Sequence, residues 1–117
     1  MTYVDVFVIP VPEKNLGAYR KMSELSAQVW IDHGALAYRE AVADDVPEGK
    51  VTSFRMAVKQ KEDESVVFAW ITWPSRQVRD EGMKKSIAEM ESLFGQMTPP
   101  FDGQRVIFGG FETIVEA

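Results

Sequence analysis

The stretch "SVVFAWITW", residues 65–73, decides the fold. It is built of β-branched and aromatic residues and is stopped by Pro74, so it reads as a strand. Val66, Phe68 and Trp70 occupy one face, and Val67, Ala69 and Ile71 the other. A strand with one face in water alternates apolar and polar residues. This one does not, so both faces of its sheet require cover. The first strand, "YVDVFVIPV" at residues 3–11, repeats the pattern: Val4, Val6 and Val8 oppose Phe7, Ile9 and Val11.

The rest of the chain places these strands. Asn15 is the expected N-cap of a helix running to about His33, with Gly34 as its C′ residue. Leu16, Tyr19, Met22, Ser26, Val29, Trp30 and His33 share one face of it at 3.6-residue spacing. Residues 35–43 read as a second strand and "DDVPEGK", 44–50, as a loop. Residues 51–60 fit either a strand or a helix from Ser53 to about Lys59; Ser53 before "FRMAV" favours the helix. Ser75 can cap a helix running to about Phe94, with an apolar stripe of Met83, Ile87, Met90, Leu93 and Phe94. "GQMTPPFDG" is a loop, and "RVIFGGFETIV" the last strand. The order is β-α-β-β-α-β, the α+β, ferredoxin-like pattern: a four-stranded antiparallel sheet with both helices on one face. No repeat, linker or low-complexity stretch interrupts residues 1–117, so a single domain is expected. Two helices cover one sheet face. The other must meet something apolar, and the simplest occupant is a second copy, giving a homodimer through the open sheet face.

Composition narrows the function classes. The net charge is −5, which disfavours nucleic acid and anionic membrane surfaces as partners. The chain has no cysteine and one histidine, so disulfides, zinc-thiolate sites, iron–sulfur clusters, thiol nucleophiles and multi-histidine metal sites are excluded. Neither metal nor cofactor is expected. The N-terminus carries Asp5 and lacks a basic start, unlike a secretory signal. The longest apolar run, "VVFAWI", is too short to span a bilayer. The expected location is cytoplasmic.

The candidate chemistry rests on polar breaks in apolar elements. His33, on the helix stripe beside Gly34, is either a helix-end histidine or a general base at a cavity mouth. Asp5 interrupts the first strand on the face of Tyr3, Phe7 and Ile9. It is either ion-paired, with Arg39 or Arg55 as partner, or a cavity acid or base. Glu112 shares a face with Phe108, Gly110 and Ile114, and Glu40 with Tyr38; polar groups inside an apolar pocket are what ligand sites look like. Trp70, beside Phe68, is the expected cavity wall. Tyr38, Arg55, Trp70, Gly110 and Glu112 are the candidate ligand-binding residues, with His33 and Asp5 as candidate catalytic groups. The small valines of the first strand suit the helix side, which assigns Asp5 to the cavity side. Gly109 and Gly110 face opposite sides of the last strand, each either a packing notch or the floor of a pocket. Asp44–Asp45 and Glu62–Asp63–Glu64 lack calcium-loop spacing and read as solvated turn charges.

"HGAL" (33–36), "DDVPEGKVTSFRMAVKQKEDESVVFAWITWPS" (44–75), "RDEGM" (79–83) and "FDGQRVIFGGFE" (101–112) closely resemble the YbaA-like family of small bacterial proteins, a family of unknown function. The likeness covers almost the whole chain. It implies membership of the dimeric α+β barrel superfamily, which also holds cofactor-free monooxygenases and muconolactone isomerase-like proteins. It implies no reaction. "QMTPPFDG" departs from the shorter Met-Pro lead more usual in the family, which alters a loop before the last strand. Two readings of function follow. One is a protein binding a small molecule in an apolar cavity of a dimeric α+β barrel, a cofactor-independent enzyme in the manner of its superfamily. The alternative is a non-catalytic dimeric structural or interaction protein, with buried polar groups fixing its register.

Overall fold

A computed structural model describes all residues 1–117. β1 (Tyr3–Pro12) leads through a 3-10 turn into α1 (Leu16–Asp32), followed by β2 (Ala37–Val42) and a short α2 (Phe54–Ala57). Then come β3 (Glu64–Trp73), α3 (Arg76–Phe94), a second 3-10 turn at Gly103–Arg105, and β4 (Ile107–Glu112). The strands form one antiparallel sheet in the order β2-β3-β1-β4. This is the ferredoxin-like α+β arrangement, with α2 added between β2 and β3. No helix is long and apolar enough to cross a membrane.

The helix ends follow local chemistry. Gly34 takes φ +108°, a left-handed conformation that suits glycine. It lets Gly34 N–H donate to the Ile31 carbonyl at 3.2 Å and Ala35 N–H to the Trp30 carbonyl at 3.0 Å, closing α1 in a Schellman turn. The Ser53 and Ser75 hydroxyls accept from Met56 N–H and Val78 N–H, so residues 54–57 are helix. Asn15 differs from expectation. It stands at the N-cap position without a capping bond: it ends a 3-10 turn with helical backbone angles, and its side chain donates to the Pro100 carbonyl at 3.0 Å. The loop before β4 is tied to α1 by that bond. The last strand is also shorter than expected: Arg105 belongs to a turn capped by Asp102, and pairing ends at Glu112.

The sheet faces are assigned the opposite way from the sequence expectation. Asp5, Phe7, Ile9 and Val11 lie with Val67, Ala69, Ile71 and Trp73 under α1 and α3, where the main core forms. Val4, Val6 and Val8 occupy the helix-free side, with Val66, Phe68 and Trp70. Large side chains fill the wide gap beneath helices better than small ones do. The helix-free face is partly covered by the β2–β3 connection, whose Val58 is buried against Val8 and Val66. Phe54 meets Phe68 edge to face at 6.3 Å. Beyond that cover, Val4, Val6 and Trp70 stay half-buried, and Ile107 and Phe111 are exposed.

α3 packs through small residues. Its buried positions are Gly82 and Ser86, while Ile87 and Leu93 of the expected stripe are exposed. The cause is Trp73, which is fully buried. A Cβ on Gly82 would lie 2.4 Å from both the Trp73 ring and the His33 carbonyl oxygen. The indole takes the volume that larger helix residues would need, and the helix turns its small edge to it.

Candidate functional site

The candidate catalytic groups inferred from sequence lie in filled interior or between helices. Asp5 is 3% exposed. It accepts from Trp73 Nε1 at 2.9 Å, Arg79 Nε at 3.0 Å and Arg79 Nη2 at 2.8 Å. Its partner is therefore Arg79 of α3, not Arg39 or Arg55. Hydrogen bonding to Asp5 raises the Arg79 pKa further, so the guanidinium stays charged at any working pH. Arg79 also lies over the Tyr3 ring, 5.1 Å from its centroid. Gly110 belongs to this cluster: a Cβ there would stand 2.5 Å from Tyr3 Oη and 2.9 Å from Arg79 Nη2. Gly109 meets nothing closer than 3.6 Å. Gly110 is thus the notch that makes room for Tyr3 and for the Arg79 guanidinium that pairs with Asp5.

The remaining candidates are dispersed. His33 Nε2 lies 2.9 Å from Glu89 Oε1, linking the end of α1 to α3. Arg55 is largely exposed on α2, 3.9 Å from Glu48. Trp70 packs on Phe68 at 5.5 Å on the helix-free face, and Glu112 is exposed at the end of edge strand β4. Glu64 is not the solvated turn charge expected. It is buried at the start of β3 and forms a two-pronged pair with Arg105, Nη1 at 2.7 Å from Oε1 and Nη2 at 2.6 Å from Oε2. The Arg105 hydrogen bonds hold its carboxyl below the usual range. No group of three or more His, Asp and Glu side chains is placed to hold a metal ion.

Tyr38 is the exception. It and Glu40 project from edge strand β2 toward α1, two residues apart on one face. α1 answers with Leu16, Tyr19, Ser23 and Ala27 at helical spacing, with Arg20 and Glu24 beside them. Between them lies a pocket of about 520 Å³, completed by Ala41, Val42 and Val67. The Tyr19 hydroxyl donates to Glu40 Oε1 and the Tyr38 hydroxyl to Oε2. Burial, then the Glu40 charge and hydrogen bonds, push both phenol pKa values up, so both tyrosines remain protonated donors. Phe101 stands edge-on to Tyr19 at 5.7 Å, so the loop before β4 backs the site. The Trp30 ring lies 6.2 Å from Tyr38, its indole N–H buried without a hydrogen-bond partner. Sequence reasoning singled out Tyr38, named Glu40 only as a polar break, and left Tyr19 on the helix stripe. The signal available was "AYRE", which puts Tyr38 and Glu40 on one face.

Comparison with known proteins gives the family. Residues 2–103 match the family described as protein of unknown function DUF1428, and the chain belongs to it. It is 49% identical over 117 residues to uncharacterized protein YbaA of Escherichia coli strain K12, covering 99% of each chain. Among solved structures, a MhuD variant with two manganese protoporphyrin IX molecules bound per active site superposes with TM-score 0.65 at 15% identity, over 98% of this chain and 97% of that one. A dimeric ferredoxin-like protein from an uncultured marine organism gives TM-score 0.60 at 13% identity, over 99% and 98%. At such identities the structural likeness shows the fold alone, and it is ferredoxin-like.

Proposed function

We propose that this member of the DUF1428 family binds a small molecule in the pocket between α1 and β2, and works as a two-fold dimer joined through its helix-free sheet face. One observation carries the first part: a mostly apolar pocket of about 520 Å³ in which Tyr19, Tyr38 and Glu40 converge. A few placed polar groups in an apolar concavity are the general form of a ligand site. The MhuD neighbour is described with porphyrin bound, which supports the reading that this fold can hold a ligand. The second part rests on Val4, Val6, Phe68, Trp70, Ile107 and Phe111, an apolar sheet face that α2 covers only at one end. A second copy supplies a face of the same kind, and one ferredoxin-like neighbour is described as dimeric.

The test is a thermal-shift screen of small aromatic and aliphatic metabolites against the wild type and Ala27→Phe, which fills the pocket from α1. Hits that stabilise the wild type and not the variant support the site. Stabilisation equal in both places the ligand elsewhere and refutes it. Sedimentation of Trp70→Glu tests the assembly: loss of a dimer seen in the wild type is the expected result. The second reading, a dimer without ligand, draws on Asp5. That candidate acid lies in filled interior with three donors, as a structural group would. A screen with no pocket-dependent hit, from a protein that is dimeric, would favour it.

A further inference from the structure

We infer that the pocket between α1 and β2 selects an organic monocation, a substituted ammonium group on an apolar body, with Glu40 as its counter-ion. This rests on the ligand-binding reading of that pocket and adds the charge class. Glu40 lines the pocket with no lysine, arginine or histidine nitrogen within 4.0 Å. The buried carboxylates, Asp5 and Glu64, each have a guanidinium, whereas Glu40 is half-buried without one. Glu40 has two hydroxyls instead. They orient the carboxylate without neutralising it, and an ionised carboxyl has about four acceptor positions, so roughly two stay free for a ligand.

The lining charges agree. Arg20 carries one positive charge, and Glu24 and Glu40 one negative charge each, which leaves one net negative charge. Arg20 is already engaged, its Nε 3.2 Å from Glu24 Oε1. An anionic ligand would meet Glu40 with both tyrosine donors spent. A neutral hydroxyl could hydrogen-bond but would leave the charge uncompensated in a part-buried site. An ammonium does both. Leu16, Ala27, Ala41, Val42 and Val67 provide the apolar surface for its body.

The experiment compares three matched probes by two-dimensional NMR titration: phenethylammonium, 2-phenylethanol and 3-phenylpropanoate. The expected result is that the ammonium perturbs pocket resonances and binds the wild type about tenfold or more tightly than the alcohol, with the propanoate weakest. Glu40→Gln should remove that preference, bringing the ammonium to within about twofold of the alcohol. Equal or tighter binding of the alcohol or the propanoate at the pocket overturns the charge assignment while the ligand site stands. No pocket-localised shift with any probe overturns both. The wild-type comparison needs no variant, so it decides the matter even if Glu40→Gln does not fold.

Discussion

Replacing Arg79 by Met should be among the most damaging single changes in this chain. Met keeps much of the aliphatic length and removes the guanidinium. Asp5 then loses two of its three donors and keeps only the Trp73 indole, while staying 3% exposed. Removing one partner of a buried pair typically costs about 3–5 kcal/mol, because an uncompensated charge is left behind. The Arg79 side chain is 22% exposed, so water can enter the vacated space, which argues for the lower end, about 3 kcal/mol. For a chain of this size that corresponds to a Tm lower by about 12 °C. The assay is thermal and urea unfolding at fixed protein concentration and pH 7, with a double-mutant cycle on Asp5→Leu and Arg79→Met. The double variant should recover much of the loss, since it leaves no buried charge. Arg39→Met and Arg55→Met should stay within about 0.5 kcal/mol of the wild type. A cost below about 1 kcal/mol for Arg79→Met, or none recovered in the double variant, would refute the claim that Asp5 depends on this partner.

Gly82→Ala sets packing against propensity. Alanine is the better helix former by about 1 kcal/mol, yet its Cβ would press on the Trp73 ring and the His33 carbonyl, so a net loss of about 2 kcal/mol is expected in denaturant titration. Gly110→Val should displace Tyr3 and push Arg79 off Asp5, reproducing part of the Arg79→Met defect, whereas Gly109→Ala should be mild; thermal melts of the pair decide it. Glu64→Gln should cost about 2 kcal/mol at pH 7. The Glu64 pKa is lowered in the folded chain, so its contribution is present above the unfolded value near 4.3 and is lost as pH falls through the folded one. The gap between wild type and variant, followed by urea unfolding from pH 7 to pH 3, should therefore narrow below about pH 4.

The elements were legible because local chemistry fixes them. Pro74 ends β3, Ser53 and Ser75 cap their helices, and Gly34 supplies the left-handed turn. Strand periodicity also shows that β1 and β3 have two apolar faces. It carries no sign, so it cannot say which face lies under the helices. That depends on the gap to be filled, and Phe7, Ile9 and Trp73 filled it where valines were expected. The α3 stripe misled for a related reason. Summed hydrophobicity picks Ile87 and Leu93, but contact with a buried indole selects Gly82 and Ser86. Ion-pair partners were hidden by distance along the chain. Asp5 and Arg79 are 74 residues apart, and Glu64 and Arg105 are 41 apart.

The three carboxylates read as polar breaks in the sheet, Asp5, Glu40 and Glu112, look alike in sequence and end in different chemistry. Sheet order separates them. Asp5 lies on central strand β1 beneath α3, which lowers Arg79 onto it, and the Gly110 notch makes room for the pair. That carboxylate is ion-paired in filled space, out of reach of a ligand. Glu112 lies on edge strand β4, beyond cover, where water screens it. Glu40 lies on the opposite edge, β2, beneath α1. It is sheltered enough to be ordered by two tyrosines and open enough to be reached. α1 presents hydroxyl and apolar groups there, and its one arginine pairs with Glu24 of the same helix, not with Glu40. If the pocket binds a ligand as proposed, a carboxylate oriented by neutral donors at its rim is the group that ligand meets, whereas Asp5 is already answered by Arg79 and Glu112 by water.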